Sequence, residues 1–282
     1  MPVATLTPVN MGGSRVFRLL TALAVGVGVI AVPSIGALQS SAAAAQTVTI
    51  TEYRAGLPTG AGAYVHPDEI VAGPDGNLWF TGVNGIGRLT PSTGAITIFS
   101  AGLPPGDVTG GLTVGPDKNL WFSLVNGPGI GRITTAGVIT VFTAGISASP
   151  SAITSGADGN LWFTESSPYI GRITPTGVVT EFSAPLATGA FSIVTGPDGN
   201  VWYDGYDSTN VGRVTPAGVV TSFPTPAGSE GQITVGPDGA LWATTFQNHV
   251  ERITMQGVVT SFPTGTGALS ALVGIVTGPD GA

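Results

Sequence analysis

Eight ionisable side chains interrupt an otherwise regular pattern: His66, Asp68, Glu69, Glu165, Asp204, Asp207, Glu230 and His249. Carboxylates gathered over a channel can hold Ca²⁺ or Mg²⁺ through hard oxygen ligands. Glu165 is the candidate metal ligand on this view. Asp68, Glu69, Asp204, Asp207, Glu230 and His249 form a candidate ligand face, with His66 nearby. The competing reading is that these are ordinary solvated loop residues, because they are scattered along the chain with no ligand spacing. His66 and His249 are the only histidines. They sit far apart in the pattern, so a zinc site or a paired base is not expected from them. There is no cysteine nucleophile, no Gly-x-Ser-x-Gly and no phosphate loop, and no catalytic residue is assigned.

These side chains must be positioned by what surrounds them, and what surrounds them is a repeat. Gly-Pro-Asp-Gly-Asn-Leu-Trp-Phe begins at Gly73 and returns, with small changes, from Gly115, Gly156, Gly196 and Gly236. The tryptophans Trp79, Trp121, Trp162, Trp202 and Trp242 keep it in phase at spacings of 42, 41, 40 and 40. A period near 40 built from strand-like pieces signals a repeat architecture. In the first copy, Glu69-Ile-Val-Ala, Leu78-Trp-Phe-Thr, Ile86-Gly-Arg-Leu-Thr and Ala95-Ile-Thr-Ile-Phe read as four short strands. The turns between them are marked by Pro-Asp-Gly-Asn, Asn-Gly and Ser-Thr-Gly. Leu78 and Phe80 point to one face of the sheet and Trp79 to the other. A sheet apolar on both faces must lie between two others, and radial stacking achieves this. The expected fold is therefore all-β: a β-propeller of four-stranded blades. Loops between blades, and those between second and third strands, share one rim, and the candidate ligand face lies there.

The repeated residues read as scaffold. Each tryptophan is expected to bury roughly 150–250 Å². Arg88, Arg132, Arg172, Arg213 and Arg252 make up five of the seven bases beyond residue 45. Side chains at identical positions in five blades are expected to bind carbonyls or the turn aspartates Asp75, Asp117, Asp158, Asp198 and Asp238, rather than an anion. Thr47–Tyr53 matches a fourth strand without its first three, and Gly274–Thr277 matches a first strand alone. The count is five complete blades plus a partial blade, expected to be a truncated seven-bladed ring.

Residues 1–45 stand outside the repeat. They hold Arg15 and Arg18, no acid, an apolar run from Leu19 to Leu38, and an alanine tract. That is the layout of a secretory signal peptide cut after Ala45; a membrane anchor over 19–38 is the alternative. Cleavage leaves residues 46–282 with seven bases and sixteen acids, a net charge of −9. Such a chain is not expected to seek nucleic acid or anionic membranes. A secreted monomer is expected, binding a small molecule, glycan or peptide on its loop rim.

The phrase Gly-Asn-Leu-Trp-Phe-Thr-Glu, followed by Ile-Gly-Arg-Ile-Thr-Pro-x-Gly-Val-Val-Thr-Glu-Phe, resembles the virginiamycin B lyase (streptogramin lyase) family over residues 47–282, most closely in Ala157 to Phe182. The resemblance implies a seven-bladed propeller. It also implies elimination at the ester of a cyclic depsipeptide, with a general base and a Mg²⁺ that polarises the carbonyl. The family's histidines stand two residues before the Ile of a blade's first strand. That slot here holds Asp68, Gly110, Ser151, Phe191, Gly231 and Val273, none of them histidine. The family's strand-end acid survives as Glu165, where the other blades carry Gly82, Leu124, Gly205 and Thr245. Two functions stay open: a non-catalytic binding propeller, or a lyase whose catalytic blades lie beyond residue 282.

Overall fold

The computed structural model describes residues 5–11, 14–20, 50–52, 69–82, 85–184, 189–190, 192–205, 208–229, 231–245, 247–265 and 274–278. The chain divides into two units, Met1–Tyr53 and Arg54–Ala282. The first unit contains β1 (Thr5–Met11), β2 (Ser14–Leu20) and β3 (Ile50–Glu52), an antiparallel sheet in that order. The apolar run, beyond Leu20, lies outside the described residues. Ile50–Glu52 is a strand, as its alternation predicts, but it is not the fourth strand of a blade. Its ladder partner is β2, with Arg18 opposite Glu52 and Leu20 opposite Ile50. A lone strand needs a partner for its N–H and C=O groups, and β2 supplies one. Among the described residues no helix is long and apolar enough to cross a membrane.

The second unit holds five four-stranded antiparallel sheets. Blade one comprises β4 (Ile70–Ala72), β5 (Leu78–Gly82), β6 (Gly85–Thr90) and β7 (Ala95–Phe99). Blade two comprises β8 (Thr109–Val114), β9 (Leu120–Leu124), β10 (Gly129–Ile133) and β11 (Ile139–Phe142). Blade three comprises β12 (Pro150–Ser155), β13 (Leu161–Glu165), β14 (Tyr169–Ile173) and β15 (Val179–Ser183). Blade four comprises β16 (Ile193–Thr195), β17 (Val201–Asp204), β18 (Ser208–Val214) and β19 (Val220–Ser229). Blade five comprises β20 (Ile233–Val235), β21 (Leu241–Thr244), β22 (His249–Ile253) and β23 (Val259–Pro263). Each is a simple meander, so sequence neighbours are sheet neighbours. This is the β-propeller arrangement that the repeat predicts.

The first turn of each blade explains why the phrase recurs. In blade one, Asp75 Oδ1 accepts the Asn77 N–H at 3.2 Å and the Trp79 indole N–H at 3.0 Å. Its Oδ2 accepts from the Asn77 side chain at 2.7 Å. The aspartate thus closes the turn and fixes the tryptophan's rotamer at once. The next residue, Gly76, adopts φ 77°, a left-handed conformation that glycine reaches without steric cost. Blades two, three and four repeat the clip through Asp117, Asp158 and Asp198.

Packing between blades is equally repetitive. Trp79 packs into a cluster with Leu112, Leu120 and Phe122 of blade two, and Trp121 into one with Ile153, Leu161 and Phe163 of blade three. Trp162 and Trp202 reach forward in the same way. Full burial of such an indole contributes roughly 4–6 kcal/mol as an upper estimate from area. Each tryptophan stacks on a phenylalanine of its own blade, with centroids 5.5 Å apart for Trp79–Phe99. In blades one to four an arginine lies over both rings, the Arg88 guanidinium being 5.6 Å from Trp79 and 5.3 Å from Phe99. The arginines bind carbonyls, as expected. Arg88 donates to Thr135 O, Arg132 to Pro175 O, Arg172 to Pro216 O and Arg213 to Met255 O, each in the following blade. Arg252 instead donates to Asp238 of its own blade. Past blade five, Ile275 N–H bonds Gln232 Oε1 and Thr277 Oγ1 bonds Val235 O, so 274–278 runs beside β20 where a sixth blade's first strand belongs.

Candidate functional site

Asp68, Asp207, Glu230 and His66 lie outside the described residues. The remaining four candidates occupy distinct places and are not brought together.

Glu69 precedes β4. Its Oε2 accepts the N–H of Leu112, on the first strand of blade two, at 2.7 Å. Ser192 Oγ accepts Ile233 N–H at the corresponding place in blade four, and Gln232 Oε1 accepts Ile275 N–H in blade five. Glu69 is therefore one version of a polar link between successive inner strands. Asp204 ends β17 and is fully buried. Its Oδ1 accepts Ser192 N–H at 2.9 Å. Thr81, Thr164 and Thr244 accept the matching N–H groups of Glu69, Ala152 and Gln232 in their own blades. The carboxylate stands in for a hydroxyl. His249 opens β22 and is half-buried. Its Nδ1 lies 2.8 Å from Gln247 O. A carbonyl only accepts, so Nδ1 carries the proton and Nε2 is the nitrogen available for a ligand.

Glu165, at the end of β13, differs from these. It is 0 % exposed at the position that Leu124 fills in blade two. Alternation along β13 puts it on the face of Leu161 and Phe163, toward blade two. Its Oε2 accepts Ser147 Oγ–H at 3.1 Å and Ser167 Oγ–H at 3.0 Å, while Oε1 is buried without a partner. Ser147 lies between β11 and β12, and its N–H bonds Glu181 Oε1 of β15 at 2.6 Å. Burial, with the neighbouring Glu181 charge adding to it against the Ser167 hydrogen bond, pushes the Glu165 carboxyl up to about 7.

Two participants escaped the sequence reading. Glu181 occupies a β15 position where other blades have Ile98, Val141, Ser222 and Ser261, and that contrast was the available signal. Glu251 is fully buried opposite Ala243. In blades one to four the same pair is glycine against an aromatic ring. A Cβ on Gly87 would meet Phe80 Cζ at 2.0 Å, and one on Gly212 would meet Tyr203 Cζ at 2.1 Å. Replacing Phe by Ala at 243 makes the room that Glu251 fills. The signal was two coupled departures, Val-Glu-Arg-Ile for Ile-Gly-Arg-Ile and Leu-Trp-Ala for Leu-Trp-Phe.

Among the described residues no three of His, Asp and Glu converge as a metal would require. Glu69 and Asp204 already bond backbone N–H groups, and Glu165 is hydrogen-bonded to two serines, so the described candidates do not assemble a Mg²⁺ site and no step is assigned to one.

Twenty strands in five packed four-stranded meanders define a β-propeller. The sequence profile of the Virginiamycin B lyase family matches residues 105–282. The chain belongs to that family. Selenomethionine-substituted virginiamycin B lyase from Staphylococcus aureus is similar at 34 % identity and TM-score 0.70, over 78 % of this chain and 76 % of that one. A catalytically inactive histidine-to-alanine form of the S. aureus lyase, crystallised with quinupristin, gives 28 % identity and TM-score 0.75, over 97 % and 93 %. A streptogramin B lyase structure gives 25 % and 0.74, over 99 % and 93 %. No curated protein sequence matches the chain.

Proposed function

We propose that this protein is a secreted, non-catalytic binding propeller whose loop rim takes a cyclic depsipeptide of the quinupristin type. The observation that carries this reading is the histidine slot. Gly110, Ser151 and Gly231 stand there among the described residues, and Asp68, Phe191 and Val273 elsewhere. None is the histidine that the family uses as its base, and Asp68 alone among them ionises. The S. aureus relative that is catalytically inactive after losing one histidine was nevertheless crystallised with quinupristin. Recognition is thus separable from turnover in a similar propeller. The rim here is neutral to acidic and rich in small polar residues, which suits a peptide-like ring better than an anion.

The second reading rests on family membership. It is a Mg²⁺-dependent carbon–oxygen lyase acting on streptogramin B antibiotics, its histidines and metal ligands carried after residue 282. One experiment separates the two. The product of the whole open reading frame is mixed with quinupristin and Mg²⁺, and heat of binding and product mass are both followed. Binding with the ring intact supports the proposal. A linearised product supports the lyase and defeats it, and no binding defeats the ligand assignment. Secretion is checked by the N-terminus of the exported protein, expected at Gln46.

A further inference from the structure

Glu165 is a carboxyl group where a neighbouring blade has leucine, and its surroundings answer to it. Ser147 touches both carboxylates of blade three: its hydroxyl donates to Glu165 and its N–H to Glu181. Ser167, just past β13, supplies a third hydrogen bond. Ile146, next to Ser147, and Phe163, two residues before Glu165, belong to one apolar cluster with Trp121 and Ile173. Glu165 Oε1 remains buried with no partner, although Glu181 is within hydrogen-bonding reach. Two ionised carboxylates cannot bond one another; a carboxylic acid and a carboxylate can.

We infer that Glu165 and Glu181 share one proton, and that this proton latches residues 143–149, the loop entering blade three, against the blade. With the proton on Glu165 Oε1, that oxygen donates to the Glu181 carboxylate, and Glu181 keeps its bond to Ser147 N–H. When solvent removes the proton, two negative charges face each other at the edge of an apolar cluster. The loop must then move to admit water. The groups facing Glu165 are Ser147 from the loop, Ser167 from the turn after β13 and Glu181 from β15. Blade two presents Trp121 and Ile130 on this side, and neither titrates. No Lys, Arg or His among the described residues forms an ion pair with either carboxylate. The latch would make the rim between blades two and three open in alkaline surroundings and closed in acidic ones.

The direction follows from linkage. A carboxyl whose folded value is about 7 binds its proton more tightly folded than unfolded. Its stabilising contribution is complete below the ordinary glutamate value, and is lost as pH rises through about 7. In that window the opening constant of the loop should rise roughly tenfold per pH unit.

The test is hydrogen exchange of the Ser147 amide and its loop neighbours in the full chain. It is followed from about pH 5 to about pH 8 and corrected for intrinsic rates. The wild type should show that rise and then a plateau. Glu165→Gln, whose amide donates to Glu181 without titrating, should stay protected and flat. Glu181→Ala should be open at every pH, with its fold checked by circular dichroism. A flat wild-type profile overturns the latch, as does an equal rise in Glu165→Gln. Protection at pH 8 that disappears on chelation also overturns it, because a divalent cation would then be holding the pair.

Discussion

Blades two and three repeat one phrase and part company at a few side chains. Trp121 and Trp162 are buried alike and clipped by Asp117 and Asp158 at 2.9 and 3.1 Å. Phe122 and Phe163 lie over Gly131 and Gly171 so closely that a Cβ would sit 2.1 Å from either ring. Against this identity, blade two ends its second strand in Leu124 and blade three in Glu165. Blade two also carries Lys118 at φ 60° in the turn where blade three has Gly159 at φ 77°. These two blades differ where the blade meets its rim and at turn tips, and not at the indole, the clip or the glycine beneath the ring. A departure in one of the strict places needs a compensating change, as Glu251 has in Ala243. A departure at the rim needs only new neighbours, as Glu165 has in Ser147, Ser167 and Glu181.

Substitutions can break or sharpen this contrast. Trp121→Ala and Trp162→Ala should each cost about 3–5 kcal/mol, and the two losses in urea denaturation should agree within about 1 kcal/mol. A large inequality would mean the blades are not equivalent scaffolds. Leu124→Glu, which buries a carboxyl without the serine shell, should cost about 3 kcal/mol at pH 8. The reverse change, Glu165→Leu, should stay within about 1 kcal/mol of wild type and abolish the stability loss between pH 5 and pH 7. Gly131→Ala and Gly171→Ala should both lose about 1–3 kcal/mol as Phe122 and Phe163 are displaced. Lys118→Gly should stabilise by up to about 1 kcal/mol, because the left-handed backbone no longer strains a side chain. Gly159→Lys should do the opposite. The smallest effect is an acid limb common to both blades. Burial opposes it, but hydrogen bonds from Asn119 and Trp121, and from Asn160 and Trp162, hold Asp117 and Asp158 below the usual carboxylate range. Their contribution is present above about pH 4 and should vanish as pH falls further. Asp117→Asn and Asp158→Asn should shrink that limb equally.

The scaffold was legible in the sequence because it is written repeatedly: a tryptophan every 40 to 42 residues, turn glycines and an aspartate four residues before each tryptophan leave one architecture. The site was far less so, because breaking the repeat is not the same as facing a ligand. Glu69 and Asp204 break it conspicuously, yet each accepts a backbone N–H that another residue type accepts in another blade. A sequence shows that a carboxylate has replaced a threonine, but not that the hydrogen bond has been kept. Glu181 looked ordinary because strand residues that face outward vary freely. Only the path of the loop through Ser147 ties it to Glu165. The strand Ile50–Glu52 was foreseen and its partner was not, since alternation fixes which face is apolar and not which edge is adjacent.

The arginines that reach forward give the array a direction. Arg88, Arg132, Arg172 and Arg213 each grasp a carbonyl made later in synthesis, so each of the first four sheets is finished by its successor. A chain emerging N-terminus first would settle like a row of hooks, each closing as the next arrives. Tension applied from the other end should undo them in reverse, in steps of about 40 residues.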